Sequence, residues 1–465
     1  MATAYIPSIS RISVGPDEPK RLDGRRLAAF ATLGVPIYAA QVPLAVHLPA
    51  IYAQQFGMSL GLIGTIFLCE RLWGAAADPL IGALSDRTRS RFGRRRPWIV
   101  AGAAIYALAS IPLFFPQGSA SAVQLAAALF AFYLGWSMIQ IPWFAWAGEI
   151  SGRYHERTRI SAFQSVVSAV SLLLVLILPT LIDQIDPHDG RLKLTVMGGF
   201  VLASLAVTLP LALRAFPEAP LPERPKARLN PLATTSLLFR DRLLLRVLAS
   251  DFAVLTGQSI RSALIVFFTT YYMGLPQWAS GLFLLQFVFG VAAGPIWMKI
   301  GVRLGKHRTA VVGELAQVAI NLGLLLVTPG NVPLLLGLTI AQGFAQGSGN
   351  QMLRAMVADI ADKHRLETGE DRTALFFSAF SLSMKAGMAA AVGIALPLVG
   401  WLGFSPAGTN SPEALQGLLL VFALGPAIGH ALSAWLIAGF PLDEAAHNEI
   451  RRALGRRESA FVPAE

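Results

Sequence analysis

The sequence predicts an all-α polytopic membrane protein with twelve transmembrane helices in two six-helix halves, and three observations support this. Hydrophobic residues make up 54% of the 465 residues and charged residues only 14%, whereas soluble domains carry about 25% charged residues. Apolar blocks recur along the chain, each close to the roughly 20 residues that cross a bilayer as a helix. The basic residues collect in alternate short loops, which is the pattern that sets membrane topology.

Continuous hydrophobicity defines the predicted spans. They are 27–53, 60–84, 97–115, 121–147, 160–185, 194–216, 243–273, 277–299, 308–328, 332–360, 373–401 and 413–440. The proline-rich stretch between spans six and seven disfavours a continuous helix and indicates a linker. The predicted domains are therefore a cytoplasmic arm (1–26), a six-helix bundle (27–216), a cytoplasmic linker (217–242), a second six-helix bundle (243–440) and a cytoplasmic tail (441–465).

The positions of the 38 Lys and Arg residues predict the orientation. Only Arg191 and Lys193 fall in predicted external loops, and Arg71, Arg261 and Lys385 lie in the middle of spans, away from the cytoplasmic ends at which the other basic residues collect. Because cytoplasmic loops are enriched in Lys and Arg, we expect a plasma (inner) membrane protein with both termini in the cytoplasm. The net charge of +11 follows from these loops, so membrane lipid, and not nucleic acid, is the expected surrounding partner.

An internal repeat relates the two halves. Span 2 ends near Pro79 and leads into a basic loop at 92–96, and span 8 ends near Pro295 and leads into a shorter basic loop at 304–308. Two parallel six-span halves are typical of major-facilitator transporters, which bind their substrate near the midplane between the halves. The sequence therefore predicts a major-facilitator fold.

Two charged residues within the spans are the predicted cation-binding pair. A charge at the centre of a membrane helix costs about 2.5–3.5 kcal/mol on insertion scales, so such a residue should face a cavity or a partner. Lys385 on span 11 is the partner best placed by depth for Asp78 on span 2. Asp78 would bind a proton or a sodium ion, and Lys385 would compete when the ion is absent. The alternative is a fixed ion pair that only locks two helices together.

Several polar side chains are candidate substrate ligands. Arg71 shares a helix face with Asp78, and Arg261 offers five donors to an anionic or hydroxyl-rich ligand. Gln140 and Trp143 together suit sugar hydroxyls and the apolar face of a sugar ring. The alternatives are packing between helices for Gln140, an interface anchor for Trp143 and a bridge to another helix for Arg261.

Glu70 precedes Arg71 directly on span 2, and Asp251 lies on span 7. Adjacent residues on a helix point about 100° apart, so the sequence leaves open whether Glu70 or Arg71 faces the cavity.

Charged residues also cluster at the predicted cytoplasmic face. Asp86, Arg94 and Arg95 follow span 2, and Glu149 and Arg153 follow span 4. We expect these five residues to form a network that closes a cytoplasmic gate. The alternative is that they serve topology alone.

Two stretches of the chain resemble the glycoside–pentoside–hexuronide:cation symporter family (melibiose permease-like) of the major facilitator superfamily. The first runs from Arg71-Leu72-Trp73 through Asp78-Pro79 to the basic loop ending at residue 98. The second covers 358–372 and continues to Lys385-Ala386-Gly387. The resemblance implies alternating access driven by a proton, sodium or lithium ion, and it gives Asp78 and Lys385 the roles of cation-site residues.

The sequence departs from that family at three positions. Gly74 stands in the place of a second cation-site carboxylate, Gln140 in that of a sugar-binding aspartate, and Tyr38 approximately in that of another. A single remaining carboxylate suits a proton better than sodium, which needs several oxygen ligands.

The sequence as a whole predicts a monomeric symporter, coupled to H+ in preference to Na+, for a glycoside, oligosaccharide or uronide. The basic loop is also similar to that of sucrose transporters and lysophospholipid symporters, so a lysolipid or another small molecule is the alternative substrate. The chain has no HExxH or P-loop pattern and a single cysteine, so we expect neither an enzyme nor a cofactor.

Overall fold

The computed structural model describes residues 22–118, 120–151, 154–218, 241–370 and 372–460, and all regular secondary structure in these ranges is helical. The first half contains α1 (Gly24–Gln55), α2 (Leu60–Arg87), α3 (Arg96–Phe114), α4 (Ala122–Glu149), α5 (Tyr154–Ile185) and α6 (Gly190–Ala215). The second half contains α7 (Arg242–Tyr272), α8 (Ala279–Leu304), α9 (Lys306–Leu326), α10a (Val332–Gln346), α10b (Gly349–Thr368), α11 (Thr373–Trp401) and α12 (Pro412–Ile437). A last helix, α13, covers Glu444–Ala460.

Short polar residues begin many of these helices. The side chains of Ser59, Ser121, Asp241, Asn331 and Ser411 accept hydrogen bonds from the first backbone N–H groups of α2, α4, α7, α10a and α12. Those N–H groups have no partner within their own helix, so each cap removes an unsatisfied donor at the point where an apolar run begins.

Eleven helices in the described part of the chain are long and apolar enough to cross a membrane. The all-α, multi-pass architecture predicted from the sequence is confirmed. The exception is predicted span 10, which is not one continuous helix at 332–360, because α10a ends at Gln346 and α10b begins at Gly349.

The break in span 10 has a packing cause. The indole N–H of Trp297 on α8 donates to the carbonyl of Phe344 at 2.5 Å, and this contact replaces the helical donor that residue 348 would supply. Ser348 instead packs on α9 at Gly313, where a side chain on the glycine would collide with the Ser348 hydroxyl. Trp297 therefore satisfies the carbonyl that the interruption frees, and the interruption allows α9 and α10 to approach closely.

We call the face of the molecule at which α1 begins and α12 ends the terminal face. Contacts between helix ends define it within each half. Arg26 at the start of α1 donates to the carbonyl of Ala215 at the end of α6, and Arg246 near the start of α7 donates to the carbonyl of Leu436 at the end of α12. The other face is called the opposite face below.

The two halves meet chiefly along two helix pairs, α2 with α11 and α5 with α8, and α1 also contacts α7. Near the opposite face, α2 and α11 approach so closely that a Cβ atom on Gly64 would lie 2.8 Å from the Pro397 ring. One turn further along, Gly393 of α11 packs against Leu68 of α2 in the same manner. The two helices therefore run antiparallel, and the residues of α2 that follow Leu68 lie opposite the middle of α11.

The pair α5 and α8 closes the opposite face as well. The backbone N–H of Ser280 donates to the carboxylate of Asp183 at 2.9 Å, and the side chain of Gln184 donates to the carbonyl of Gln277 at 2.9 Å. Asp183 is fully buried and also forms an ion pair with Lys193 at 2.5 Å. Polar contacts thus join the two halves at this face.

Candidate cation and substrate site

The structure brings the predicted cation-binding pair together. The Lys385 ammonium on α11 forms an ion pair with the Asp78 carboxylate on α2, and the hydroxyl of Ser137 on α4 donates to Asp78 at 2.6 Å. The Asp78 side chain is 16% exposed and that of Lys385 is 36% exposed. One carboxylate thus connects both halves of the molecule at a partly exposed position.

Two features of α2 bear on the surroundings of Asp78. Pro79 follows directly inside α2 and has no backbone N–H, so the carbonyl one turn earlier loses its helical donor. The α2 helix also approaches α11 closely enough for Lys385 to reach across, because small residues such as Gly64 line its contact with that helix. This close approach places Asp78 of α2 opposite Lys385 of α11.

One face of α4 supplies the partners of α2. Tyr133, Ser137, Gln140 and Phe144 recur at helical spacing and so lie along the same side of the helix. Arg71 donates to the Tyr133 hydroxyl at 2.9 Å, and its guanidinium lies 4.7 Å from the centre of the Tyr133 ring. The α2–α4 contact therefore positions both charged residues of the site.

Gln140 is the polar residue of this face with a free side chain. It is half-buried and has no hydrogen-bond partner among the described residues. It follows Ser137, which holds Asp78, by three residues, so it lies almost one turn further along α4. An amide with unused donors and an unused acceptor beside the ion pair is suited to bind hydroxyl groups.

Two predicted substrate residues lie elsewhere. Trp143 is fully buried, and its indole N–H donates to the carbonyl of Phe30 on α1 at 3.1 Å. Arg261 is 3% exposed and donates to Asn321 of α9 at 2.9 Å, with its guanidinium 5.1 Å from the Phe422 ring. Each side chain is enclosed within its own half, so the structure does not place either with Asp78. Arg261 bridges to another helix, as in the alternative given for it, and Trp143 packs inside the first half.

Tyr38 has a third kind of position. It lies on α1, is half-buried, and its hydroxyl faces Ser168 of α5. The described contacts of Tyr38 do not include the Asp78–Lys385 pair, so it belongs to the α1–α5 surface of the first half.

The predicted gate residues meet at the terminal face. Arg94 pairs with Glu149 at 2.6 Å, and Arg95 pairs with Asp86 at 2.5 Å and with Glu149 at 2.8 Å. Arg153 lies outside the described residues. The named ion pairs join α2, α3 and α4, so this cluster binds together helices of the first half.

A residue that the sequence analysis missed completes that cluster. The carboxylate of Glu218, just after α6, accepts hydrogen bonds from the backbone N–H groups of Arg94 and Arg95 at 2.6 and 2.5 Å. In the second half, Lys306 at the start of α9 pairs with Asp359 of α10b at 2.7 Å. Each half therefore has its own charged link at the terminal face.

Ser137 and Tyr133 were also missed as site residues. Their signal in the sequence is the spacing of four residues between them and of three from Ser137 to Gln140. A hydroxyl on a membrane helix is common, however, and only the packing of α4 against α2 shows that these two contact Asp78 and Arg71.

Curated proteins with similar sequences are named as transporters. The chain is 24% identical to "Uncharacterized symporter YjmB" of Bacillus subtilis over 89% of its own length and 91% of that protein. It is also 24% identical to "Glucuronide carrier protein homolog" of Escherichia coli, covering 87% of this chain and 90% of the relative.

A solved structure and a family model agree with this. The nucleoside transporter NupG superimposes with a TM-score of 0.65 at 13% identity, covering 90% of this chain and 100% of that one, which confirms the predicted major-facilitator fold. The model of the family described as "MFS/sugar transport protein" matches residues 29–444. The chain therefore belongs to the MFS/sugar transport protein family, whose members are multi-pass membrane transporters and not enzymes.

Proposed function

We propose that the protein is a cation-coupled symporter that carries a glycoside, oligosaccharide or uronide by alternating access, with H+ favoured over Na+ as the coupling ion. The observation that carries the proposal is the Asp78–Lys385 ion pair, which links the two halves at a partly exposed position. The family description and the names of the relatives, which include a symporter and a glucuronide carrier homolog, support the substrate class.

The ion pair provides a physical means of coupling. Two opposite charges about 4 Å apart attract by about 4 kcal/mol at an effective dielectric constant of about 20. A proton or cation bound to Asp78 removes most of this attraction and releases Lys385. The link between α2 and α11 then weakens, so the occupied and empty sites favour different arrangements of the two halves.

Substrate would bind beside this pair on the first half. Gln140 has unused hydrogen-bonding groups next to the Ser137–Asp78 contact. Arg71 retains donors beyond the one that it gives to Tyr133, and a guanidinium carries five. A uronide carboxylate on Arg71 and sugar hydroxyls on Gln140 fit these groups.

We assign the terminal face to the cytoplasm, because most of the Lys and Arg residues lie on that side. The contacts of Asp183 and Gln184 across the halves then lie at the outer face. The structure corresponds, on this assignment, to a state that is closed toward the outside.

The test is uptake by purified protein in liposomes. Radiolabelled glycosides and uronides are offered with an inward H+ gradient, with an inward Na+ gradient, or with neither. We expect accumulation of at least one sugar above its external concentration with the H+ gradient only. Equal uptake in all three conditions would show facilitated diffusion and contradict the proposal.

A further inference from the structure

Glu70 on α2 is a buried carboxylate that the coupling scheme described above does not use. It is 1% exposed, and its Oε2 atom has no hydrogen-bond partner. The nearest cationic group in the described structure is Arg71, whose Nε lies 3.5 Å from that oxygen. This distance allows electrostatic attraction but is too long for a good hydrogen bond. Glu70 is thus a charge-bearing group with spare bonding capacity in a low-dielectric setting, where unsatisfied groups are costly.

The neighbouring arginine is committed elsewhere. Arg71 donates a hydrogen bond to the Tyr133 hydroxyl at 2.9 Å and lies over the Tyr133 ring. Tyr133 itself stacks on Trp136 with ring centres 5.3 Å apart. The aromatic pair holds the guanidinium toward α4, so Arg71 is not free to close on Glu70.

The Glu70 side chain extends toward Asp78. Its Oε1 atom lies 3.8 Å from the point where a Cβ atom on Gly74 would stand. Gly74 is one turn after Glu70 and one turn before Asp78, and one turn rises about 5.4 Å. The absence of a side chain at Gly74 leaves the space in which the Glu70 carboxylate lies, about one turn from that of Asp78.

Lys385 is close to both carboxylates. It forms an ion pair with Asp78 and lies near enough to Glu70 and Arg71 to interact with them electrostatically. Its side chain is 36% exposed, and its four-carbon stem is flexible. A change of partner by the ammonium requires rotation about this stem.

Charge balance shows when such a change is needed. With both Asp78 and Glu70 ionised, two carboxylates face the two cations Arg71 and Lys385, and the group is neutral. A proton or sodium ion on Asp78 leaves one positive charge in excess, and Lys385 loses its partner. Glu70 is then the remaining carboxylate of the group, and it has an oxygen without a hydrogen bond.

We propose that Glu70 is the second docking position of the Lys385 ammonium, which binds Asp78 when the cation site is empty and Glu70 when the cation is bound. This inference rests on the proposed function, because it assumes that Asp78 binds the coupling ion. Glu70 stabilises the cation-bound state by pairing the released lysine. It is a positioning residue that acts through Lys385.

The test follows ion binding directly. Purified protein is titrated with H+, and separately with Na+, while its intrinsic tryptophan fluorescence is recorded. Trp136 serves as the reporter because it stacks on Tyr133, which contacts Arg71. We expect Glu70→Gln to raise the ion concentration at the midpoint about tenfold, because Lys385 then stays on Asp78. The matched control is Glu314→Gln, which changes a buried carboxylate of α9 paired with His430 and should leave the midpoint unchanged.

A double variant separates docking from a general charge effect. Loss of a nearby negative charge weakens cation binding whether or not Lys385 is present, whereas loss of a docking position matters only when Lys385 is there. In a Lys385→Gln background, Glu70→Gln should therefore produce no further shift. An equal shift in both backgrounds, or no shift in the single variant, would overturn the inference. Glu70→Asp, which keeps the charge and shortens the reach, should give an intermediate shift and serves if Glu70→Gln does not fold.

The same titration distinguishes this inference from the proposed function. Asp78→Asn should abolish the ion-dependent signal altogether. If Asp78→Asn removes the signal and Glu70→Gln leaves the midpoint unchanged, the docking role of Glu70 fails and the coupling role of Asp78 stands. If Asp78→Asn keeps the signal, the ion site itself is wrongly placed and both proposals fail.

Discussion

The two halves of the molecule place their polar side chains differently. In the first half, Arg71, Asp78 and Gln140 are partly exposed on the surfaces of α2 and α4. In the second half, Arg261 bonds to Asn321 at 2.9 Å. Asn321, Gln317 and Gln342, each at most 1% exposed, complete the cluster around Arg261, with the Gln342 amide donating to Gln317 at 2.5 Å.

Within the second half, the buried ionisable residues differ from Lys385 in where their partners lie. Glu314 of α9 and His430 of α12 contact each other at 2.5 Å and are 1% and 0% exposed. This pair ties two helices of the second half together. Lys385 differs from them, because it extends from the second half across to Asp78 of the first.

The partner of a polar side chain distinguishes a functional role from a packing role better than its residue type does. Polar groups that satisfy one another within one bundle fix a single arrangement of helices. A polar group with exposed surface or with a partner in the other half can exchange that partner for an ion, a sugar or water. On this reasoning, recognition and ion binding depend on the first half, and the second half contributes Lys385.

The largest effect is expected from Lys385→Gln. Loss of the ammonium leaves the ionised Asp78 carboxylate without its cross-half partner, and an uncompensated buried charge costs about 3–5 kcal/mol. The empty transporter should then return across the membrane too slowly, so gradient-driven accumulation in liposomes should fall about 100-fold. Lys306→Gln, which breaks a pair within the second half, is the matched control and should retain accumulation; equal loss in both variants would contradict the comparison.

The two membrane arginines should respond in opposite ways. Arg261→Ala removes the donor to Asn321 inside the second half and should lower stability by about 1–3 kcal/mol, measured as thermal unfolding in detergent, with the substrate KM of the folded protein unchanged.

Arg71→Ala should raise the KM for a uronide about tenfold or more, since a bond to a charged group contributes about 1.5–3 kcal/mol, with a smaller effect on unfolding. A raised KM in Arg261→Ala without loss of stability would place the substrate in the second half.

A smaller effect is expected from Gln140→Ala. Its amide has no hydrogen-bond partner among the described residues, so its removal leaves no group in the described structure unsatisfied. The substrate KM should rise about fivefold, because one or two neutral hydrogen bonds contribute about 1 kcal/mol each. The dependence of uptake on the ion gradient should stay as in the unmodified protein, and a changed ion dependence would mean that Gln140 belongs to the cation site.

Much of the fold could be predicted from the sequence, because the membrane requires long apolar helices and the Lys and Arg residues mark their ends. The meeting of Asp78 and Lys385 could also be predicted, since equal depth on two helices and opposite charge restrict the pairing. The break between α10a and α10b could not, because it depends on the indole of Trp297 reaching the Phe344 carbonyl from another helix.

The remaining site residues depend on which side of a helix faces which neighbour. Trp143 follows Gln140 by three residues, yet its indole turns to Phe30 of α1 while Gln140 stays unpaired among the described residues. Similarly, Arg71 and Arg261 occupy membrane helices in the two halves, and only packing sends one to the α2–α4 surface and the other into a bundle core. Hydrophobicity along the chain carries no information on these rotations.

Asp78→Asn in liposomes tests the central claim most directly, with two assays on the same preparation. Accumulation driven by an ion gradient is compared with the exchange of internal for external labelled substrate, which needs no net movement of the ion. We predict that the variant loses accumulation and retains exchange, because the amide keeps the shape of the site but carries no charge for Lys385 or the ion. Full gradient-driven accumulation by Asp78→Asn would contradict the account.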